Sequence, residues 1–244
     1  MNGSLLEHAP PPPAAPFAPA AAALRRLAAF HAMDPTVEFL TGLRAAPLHG
    51  GFGIAFDRDD ALQAMALIDE VVSDLPDPID PDSVAPLLAD FTAIHRTLAY
   101  RASPLESDWA AEAGQPDPGL AAALRRWRQQ AGLVADAGFP PDHLVSELTL
   151  LAALLERGQA SDATRFLDQH PLRWIPALCS RVATRCREPF YAGVAILTAA
   201  HLDHLRDLLA GACGLPRPPD DDSADIRRRR WAEGRLPRTC GCDG

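Results

Sequence analysis

The sequence predicts an all-α fold, a single globular domain of about nine helices with no credible strand. Hydrophobic residues form 48% of the 244-residue chain, enough to bury one good-sized core. Leu and Ala dominate them, whereas β-branched and aromatic residues are sparse, so the apolar mass favours helices over strands. Prolines, glycines and capping residues then divide the chain into helical lengths.

The first half of the chain contains four predicted helices, at residues 22–32, 35–46, 57–75 and 83–100. Pro35 begins the second of them, and Asp57 is expected to cap the third. A rigid connector with three prolines, at residues 76–81, separates the third helix from the fourth. Residues 102–118 are rich in Pro, Gly and acids and are predicted to be irregular.

The second half contains five predicted helices, at residues 120–137, 141–157, 161–169, 171–185 and 189–210. Pro141, Pro171 and Pro189 stand in first helical turns, where a missing N–H costs nothing. Ser161 is expected to cap one helix, and Gly158 ends the helix before it as a C-terminal cap.

The ends of the chain differ from this helical domain, which is expected at residues 22–210. Residues 1–21 form a Pro/Ala-rich leader that is expected to be disordered and is not a secretory signal, since prolines interrupt its apolar part and no basic region precedes it. Residues 211–244 turn to Pro, Asp and Arg and are expected to form a disordered tail. No apolar run reaches about 18 residues, so no membrane span is expected.

Charge and cysteine usage exclude several function classes. All 23 basic residues are arginines, so a Walker A loop, a Schiff-base lysine and an S-x-x-K nucleophile pair are excluded. A net charge of −9 argues against nucleic acid as the main partner and favours a cationic peptide. Five cysteines without C-x₂-C pairs are typical of a reduced, cytoplasmic protein.

The helix predicted to begin at Pro141 opens with an acid, Asp142, and a histidine, His143. Helix formation alone does not require either of them. Pro141 and Asp142 fit the first turn, where the helix dipole favours an acid. His143 and Glu147 are four residues apart and therefore neighbours on one helix face. That face lies beside a stripe of leucines, Leu144, Leu148, Leu151 and Leu155. The pattern predicts a polar cluster at the rim of a core; a capped helix with a solvated ion pair is the alternative.

Three segments of the chain carry a family resemblance. They are Asp-Phe-Thr-Ala-Ile at 90–94 with Ser-Pro-Leu-Glu-Ser-Asp-Trp at 103–109, Pro-Pro-Asp-His-Leu at 140–144 with Glu147-Leu148, and Phe-Leu-Asp-Gln-His-Pro-Leu-Arg-Trp at 166–174. In this order and spacing they resemble the TorD/DmsD/NarJ family of cytoplasmic chaperones for molybdenum redox enzymes. The resemblance covers about residues 36–210.

The resemblance implies an all-helical, TorD-like fold and a protein that is not an enzyme and has no cofactor of its own. Such a chaperone binds the twin-arginine leader of an apo molybdoenzyme subunit, holds it back from export and assists cofactor insertion. It occurs as a monomer or a homodimer. Carried over by motif, the leader-binding groove comprises six residues: Phe91, Ile94, Trp109, Pro140, Asp142 and His143.

The chemistry of a leader peptide agrees with this set. Two arginines followed by an apolar stretch require carboxylates beside an apolar trough. Asp142 and Glu147 are expected to supply the charge, and Phe91, Ile94 and Trp109 the trough.

The chain departs from the family pattern at two places. Phe139 stands where the family has a glutamate before the signature proline, and Ile94-His95 replaces a Leu-Phe pair. These departures leave open whether the client carries a working twin-arginine motif.

Two other functions are compatible with the sequence. A helical metal- or cofactor-handling protein would use Cys240 and Cys242 of the tail with His201 and His204, although a solvated helix face is the default interpretation of the two histidines. A hydrolase would be centred on His143 and its neighbouring acid. Arginines 227–230 of the tail, followed by a tryptophan, also mimic a leader and could occupy the groove.

Overall fold

Ten α-helices and one 3-10 turn, Leu48–Gly50, make up the ordered elements in a computed structural model that describes residues 17–52, 59–114, 116–133 and 138–218. The helices are α1 (Ala18–Ala32), α2 (Val37–Ala45), α3 (Asp59–Asp74), α4 (Pro81–His95), α5 (Glu106–Glu112), α6 (Leu120–Gln130), α7 (Leu144–Glu156), α8 (Ala160–Gln169), α9 (Pro171–Arg185) and α10 (Pro189–Cys213). These described residues contain no strand, which confirms the all-α prediction.

The core is built around α7. Eleven of its thirteen residues are buried, including the four leucines of the predicted stripe. A helix that is apolar on nearly every side must be covered on every side, and each buried leucine contributes roughly 1.5–3 kcal/mol. α1 packs along α7, while α8 and α9 also contact it.

The longest helix, α10, packs closely against α3 and also contacts α8 and α9. A β-carbon at Gly193 would lie 2.7 Å from the Ile68 side chain and 3.1 Å from the carbonyl oxygen of Ala64. The two helices therefore approach each other at a point where only glycine fits. No helix in the described part of the chain combines the length and apolar character that a membrane span requires.

Asp90 fastens α4 to the beginning of α10. Its buried carboxylate accepts hydrogen bonds from the Tyr100 hydroxyl at 2.6 Å and from the backbone N–H groups of Arg187 and Glu188 at 2.8 and 2.6 Å. A carboxylate beside a helix N-terminus satisfies N–H groups that lack helical partners. The first residue of the first motif thus has a structural role.

Several predicted helix boundaries were wrong. α5 lies inside the stretch predicted to be irregular; Glu106 and Asp108 in its first turn are favourable at a helix N-terminus. α4 ends at His95 and does not continue to residue 100, because the chain turns through Leu98 at φ 53°. The predicted cap Asp57 lies outside the described residues.

The helix predicted from Pro141 begins later. α7 starts at Leu144 with His143 as its N-cap, so Pro141 and Asp142 belong to the preceding turn. α8 likewise begins at Ala160 with Gln159 as its N-cap, and Ser161 lies within its first turn. By contrast, α9 covers the predicted range 171–185 and α10 begins at the predicted Pro189.

The described chain continues past residue 210. α10 extends to Cys213, and the fully buried Arg206 then donates to the carbonyl oxygens of Leu215 at 3.0 Å and Pro216 at 2.8 Å. Arg206 also forms a bidentate pair with Asp168 at 2.6 and 2.9 Å. The first residues of the predicted tail are therefore held against α8 and α10, whereas residues 219–244, including the two tail cysteines, lie outside the described chain.

Candidate functional site

Parts of all three motif segments meet at one place, which we name the signature junction: residues 103–109, 139–148 and 166–174. The backbone N–H of Glu106 donates to the carbonyl oxygen of Asp142 at 2.9 Å, and the N–H of Leu144 donates to that of Pro104 at 2.8 Å. These bonds place the beginning of α5 beside the turn before α7.

Side chains reinforce this contact. The Ser107 hydroxyl donates to Asp142 Oδ2 at 2.7 Å. Asp142 is buried, but Pro140 beside it is exposed and Pro141 is half-buried. The Asp142 carboxylate therefore lies directly beneath the surface of the turn.

His143 caps α7. Its Nδ1 accepts the N–H of Val145 at 3.1 Å, and its ring stacks on Phe139 with centroids 4.4 Å apart and an interplanar angle of 28°. Burial lowers the pKa of His143 to about 4, so the ring is neutral at physiological pH. Phe139, which replaces the glutamate of the family pattern, thus supplies an aromatic partner for the signature histidine.

Glu147 is inside the protein, not at its rim. The residue is fully buried, and its Oε2 accepts the Trp174 indole N–H at 3.0 Å. Burial, and then the neighbouring Glu106, raise the pKa of Glu147 well above its usual value. The predicted cluster at the rim of the core was therefore wrong for Glu147, which lies inside the core, where burial favours its protonated form.

Glu106 connects Glu147 to the third motif. It is buried and lies 3.1 Å from His170 Nδ1. His170 and Trp174 thus each hold one carboxyl group of the junction. Glu106 and Ser107 stand in the first motif, but no role could be predicted for either of them from the sequence.

Phe91 and Ile94 lie in the core, with 3% and 2% of their surface exposed. The centre of the Phe91 ring lies 4.7 Å from the centre of the His95 ring, which lies 5.5 Å from the centre of the His31 ring. The two residues therefore support α4 from within and do not line an open trough in this conformation.

His31, His95 and His143 form a buried histidine cluster. Burial, and then His143, lower the pKa of His31 to about 3, and burial with both other histidines lowers the pKa of His95. His31 Nε2 lies 3.0 Å from the Thr198 hydroxyl. The cluster exists because His95 replaces an aromatic residue of the family pattern.

Trp109 lies on α5 and not in a loop as predicted. Its indole N–H donates to the carbonyl oxygen of Ser103 at 2.8 Å. The Arg181 guanidinium stands over its ring, 4.2 Å from the centroid, and also pairs with Glu112 at 2.9 Å. Nothing in the sequence marks Glu112 or Arg181, because neither belongs to a motif.

The residues of the two alternative functions have other surroundings. His201 is fully buried and His204 is half-buried, so the predicted solvated helix face was wrong at His201. Asp203, between them, is buried and pairs with Arg217 at 2.9 Å. The described residues contain no group of three metal-ligating side chains. At His143, Nδ1 accepts a backbone N–H instead of meeting an acid.

An apolar cavity of about 320 Å³ opens between α1 and α2, lined by Phe30, Phe39 and Leu43 with Arg26 and Glu38 at its edge. None of these residues belongs to the signature junction. The junction is a surface turn, exposed at Pro140, above the buried Asp142, Glu106 and Glu147.

The fold and the junction define a class of protein: an all-helical protein whose sequence motifs converge on one buried polar network. A sequence model of the family described as nitrate reductase delta subunit matches residues 59–180, which are 122 of the 244 residues and include all three motifs. The chain belongs to this family, and the resemblance to TorD, DmsD and NarJ is confirmed. No curated protein matches the chain.

Membership of this family implies a chaperone for molybdoenzyme maturation. The role of the family is not catalytic, and its partner is the catalytic subunit of a molybdoenzyme.

Proposed function

We propose that this chaperone binds the N-terminal leader of an apo molybdenum oxidoreductase subunit in the cytoplasm, and that it holds the subunit back from export until its cofactor is inserted. The leader is of the twin-arginine type. Family membership supports the client class. The described cysteines, Cys179, Cys186 and Cys213, are free thiols, which fits a reducing compartment.

The observation that carries the proposal is the position of Asp142. Its carboxylate lies just beneath an exposed turn, and Ser107 of the first motif orients it at 2.7 Å. A guanidinium group forms strong charge-assisted hydrogen bonds with an oriented carboxylate. Asp142 therefore suits one arginine of a leader.

Half-buried apolar side chains lie near the turn that carries Asp142. Leu105 pairs with His143 through an isolated β-bridge, and Phe139 stacks on the same histidine. Trp109 is also half-buried on the neighbouring face of α5. These side chains provide an apolar surface for the stretch that follows the arginines in a leader.

The remaining residues that were predicted to contact the leader lie beneath the surface. Glu147 is fully buried and accepts the Trp174 indole N–H, while Phe91 and Ile94 support α4 in the core. We assign these three residues to positioning, and Trp109, Pro140, Asp142 and His143 to contact with the leader.

Calorimetric titration of the purified chain with a synthetic peptide tests the proposal. The peptide carries two consecutive arginines before an apolar stretch, and a second peptide carries lysines instead. We expect the arginine peptide to bind more tightly, and Asp142→Asn to weaken its binding by a factor of about 10 or more. Asp162→Asn, which removes a partly exposed acid of α8, is the matched control and should leave binding unchanged. Equal binding by both aspartate variants would contradict the proposal.

A further inference from the structure

Arg181 occupies a complete guanidinium site on the outside of the fold. Its guanidinium carbon lies 4.2 Å from the centre of the Trp109 ring. Nη1 and Nη2 donate to the two carboxylate oxygens of Glu112 at 3.0 and 2.9 Å, and Nη1 also donates to the carbonyl oxygen of Arg101 at 2.7 Å. A ring, a carboxylate and a carbonyl together recognise one arginine side chain by its face and its edge.

The three receiving groups come from one segment of the chain, residues 101–112, and we name them the arginine cradle. The Trp109 ring is oriented in advance, because its indole N–H is bound to the carbonyl oxygen of Ser103. The Arg181 guanidinium holds the pKa of Glu112 below its usual value, so this carboxylate is ionised at neutral pH. Only the guanidinium itself comes from α9.

The cradle is open to exchange. The side chain of Arg181 is 23% exposed and that of Glu112 is 60% exposed. An exposed ion pair contributes little net free energy, so a second arginine can compete for the same groups. A lysine competes poorly, since it lacks the planar face and the paired donors.

The cradle also lies beside the proposed leader site. Ser103, whose carbonyl oxygen binds the Trp109 indole, stands two residues before Leu105, which pairs with His143 of the leader site. Ser107 and Trp109 themselves point to different sides of α5, because two residues of a helix are about 200° apart. Along the axis of α5, Ser107 and Glu112 are about 7.5 Å apart.

We propose that the arginine cradle is the site of the second leader arginine, and that Arg181 is a built-in placeholder which the client arginine displaces. This inference rests on the proposed leader binding and extends it: one arginine meets Asp142, and the other replaces Arg181 between Trp109 and Glu112. The chaperone then keeps its tryptophan covered and its carboxylate paired until a client arrives.

Arg181→Ala tests the inference, because it empties the cradle. We expect it to bind the synthetic arginine peptide about tenfold more tightly than the unsubstituted chain, since no internal arginine has to be displaced. Arg185→Ala is the matched control: Arg185 is exposed on the same helix one turn further and donates to the carbonyl oxygen of Tyr100 at 2.6 Å. The control should bind as the unsubstituted chain does. Adding Glu112→Gln to Arg181→Ala should abolish the gain.

A second measurement reports on the cradle without any leader. The NMR signal of the Trp109 indole N–H in Arg181→Ala should shift in a saturable way with N-acetyl-arginine amide, and not with its lysine counterpart. Arg181→Gln, which retains a donor towards the Arg101 carbonyl, serves as a milder variant for the same titration.

The outcomes separate the two proposals. If Arg181→Ala binds the peptide no better than the unsubstituted chain, while Asp142→Asn still weakens binding, the cradle inference fails and leader binding stands. If no variant binds the peptide, leader binding fails and the cradle has no leader arginine to receive, even where the Trp109 signal responds to the arginine amide. An unresponsive Trp109 signal overturns the cradle in either case.

Discussion

The Ser107 hydroxyl and the Asp142 carboxylate are 2.7 Å apart, although the two residues are separated by 35 positions in the sequence. Their hydrogen bond joins the first motif to the second at a surface turn. Beneath it, Glu106 meets His170 and Glu147 meets Trp174, so the same two motifs are also joined to the third. The motif residues therefore build one junction, of which only the outermost layer is accessible to a partner.

Removal of the Ser107 hydroxyl should loosen this turn. We expect Ser107→Ala to lower the free energy of unfolding by about 1 kcal/mol, the net contribution of one hydrogen bond. Urea unfolding followed by circular dichroism measures the change. In Ser73→Ala, where the lost hydroxyl bonds only to a carbonyl of its own helix, the change should stay below about 0.5 kcal/mol. Equal losses in the two variants would show that the motif contact has no special role.

Glu147 should make the protein less stable as the pH rises. Its pKa is raised in the folded state, so that state retains a proton which the unfolded chain releases above about pH 4.5. Stability conferred by this proton is complete below that pH and is lost as the pH rises towards the folded pKa.

Glu147→Gln keeps an acceptor for Trp174 but cannot ionise. We expect the variant to gain stability relative to the unsubstituted chain between pH 5 and 7, by up to about 1.4 kcal/mol per pH unit. Denaturant unfolding at several pH values gives this difference. A difference that does not vary with pH would mean that Glu147 is ionised in the core.

The buried histidine cluster should make the protein less stable as the pH falls. Burial lowers the pKa of His31 to about 3 and of His143 to about 4, and also lowers that of His95. The unfolded chain takes up protons at these rings below about pH 6.5, whereas the folded chain does not, so stability falls as the pH decreases from 6.5 towards 4.

His95→Phe restores the aromatic residue of the family pattern and removes one of these groups. We expect a shallower loss of stability between pH 6.5 and 4 than in the unsubstituted chain, measured by urea midpoints at each pH. If the two curves are parallel, His95 does not contribute to the pH dependence.

The contact between α10 and α3 should not accept a methyl group at Gly193. A β-carbon there would meet Ile68 at 2.7 Å, so we expect Gly193→Ala to lower the free energy of unfolding by about 1–3 kcal/mol. At Gly211 of the same helix no atom lies within 4 Å, and Gly211→Ala should be neutral or stabilising by up to about 1 kcal/mol. Thermal unfolding of both variants distinguishes a packing effect from helix propensity. Stabilisation at both positions would contradict the close approach.

Much of the fold could be predicted from local patterns. The stripe of leucines in α7 and the prolines that begin α9 and α10 are patterns that span only one or two helical turns. The structure confirms the helices that they predict. α5 was missed because Pro and Gly around it hide a helix that is only seven residues long. Short helices depend on tertiary contacts more than on propensity.

The interior of the site could not be predicted in the same way. The spacing of His143 and Glu147 predicted neighbours on one helix face at the rim of the core, but the partner of Glu147 is Trp174, in another motif. Whether a polar side chain on α7 faces water depends on what packs over it, and local spacing does not contain that information. The contact of Arg181 with Trp109 could not be predicted for the same reason, since it joins α9 to α5.

Affinity capture tests the central claim most directly. The tagged full-length chain is recovered from its native host after anaerobic growth, and retained proteins are identified by mass spectrometry for the unsubstituted chain, Asp142→Asn and the control Asp162→Asn. Leader binding at the signature junction predicts that the unsubstituted chain and the control retain a molybdoenzyme catalytic subunit that Asp142→Asn loses. Retention by all three proteins alike, or by none of them, would contradict it.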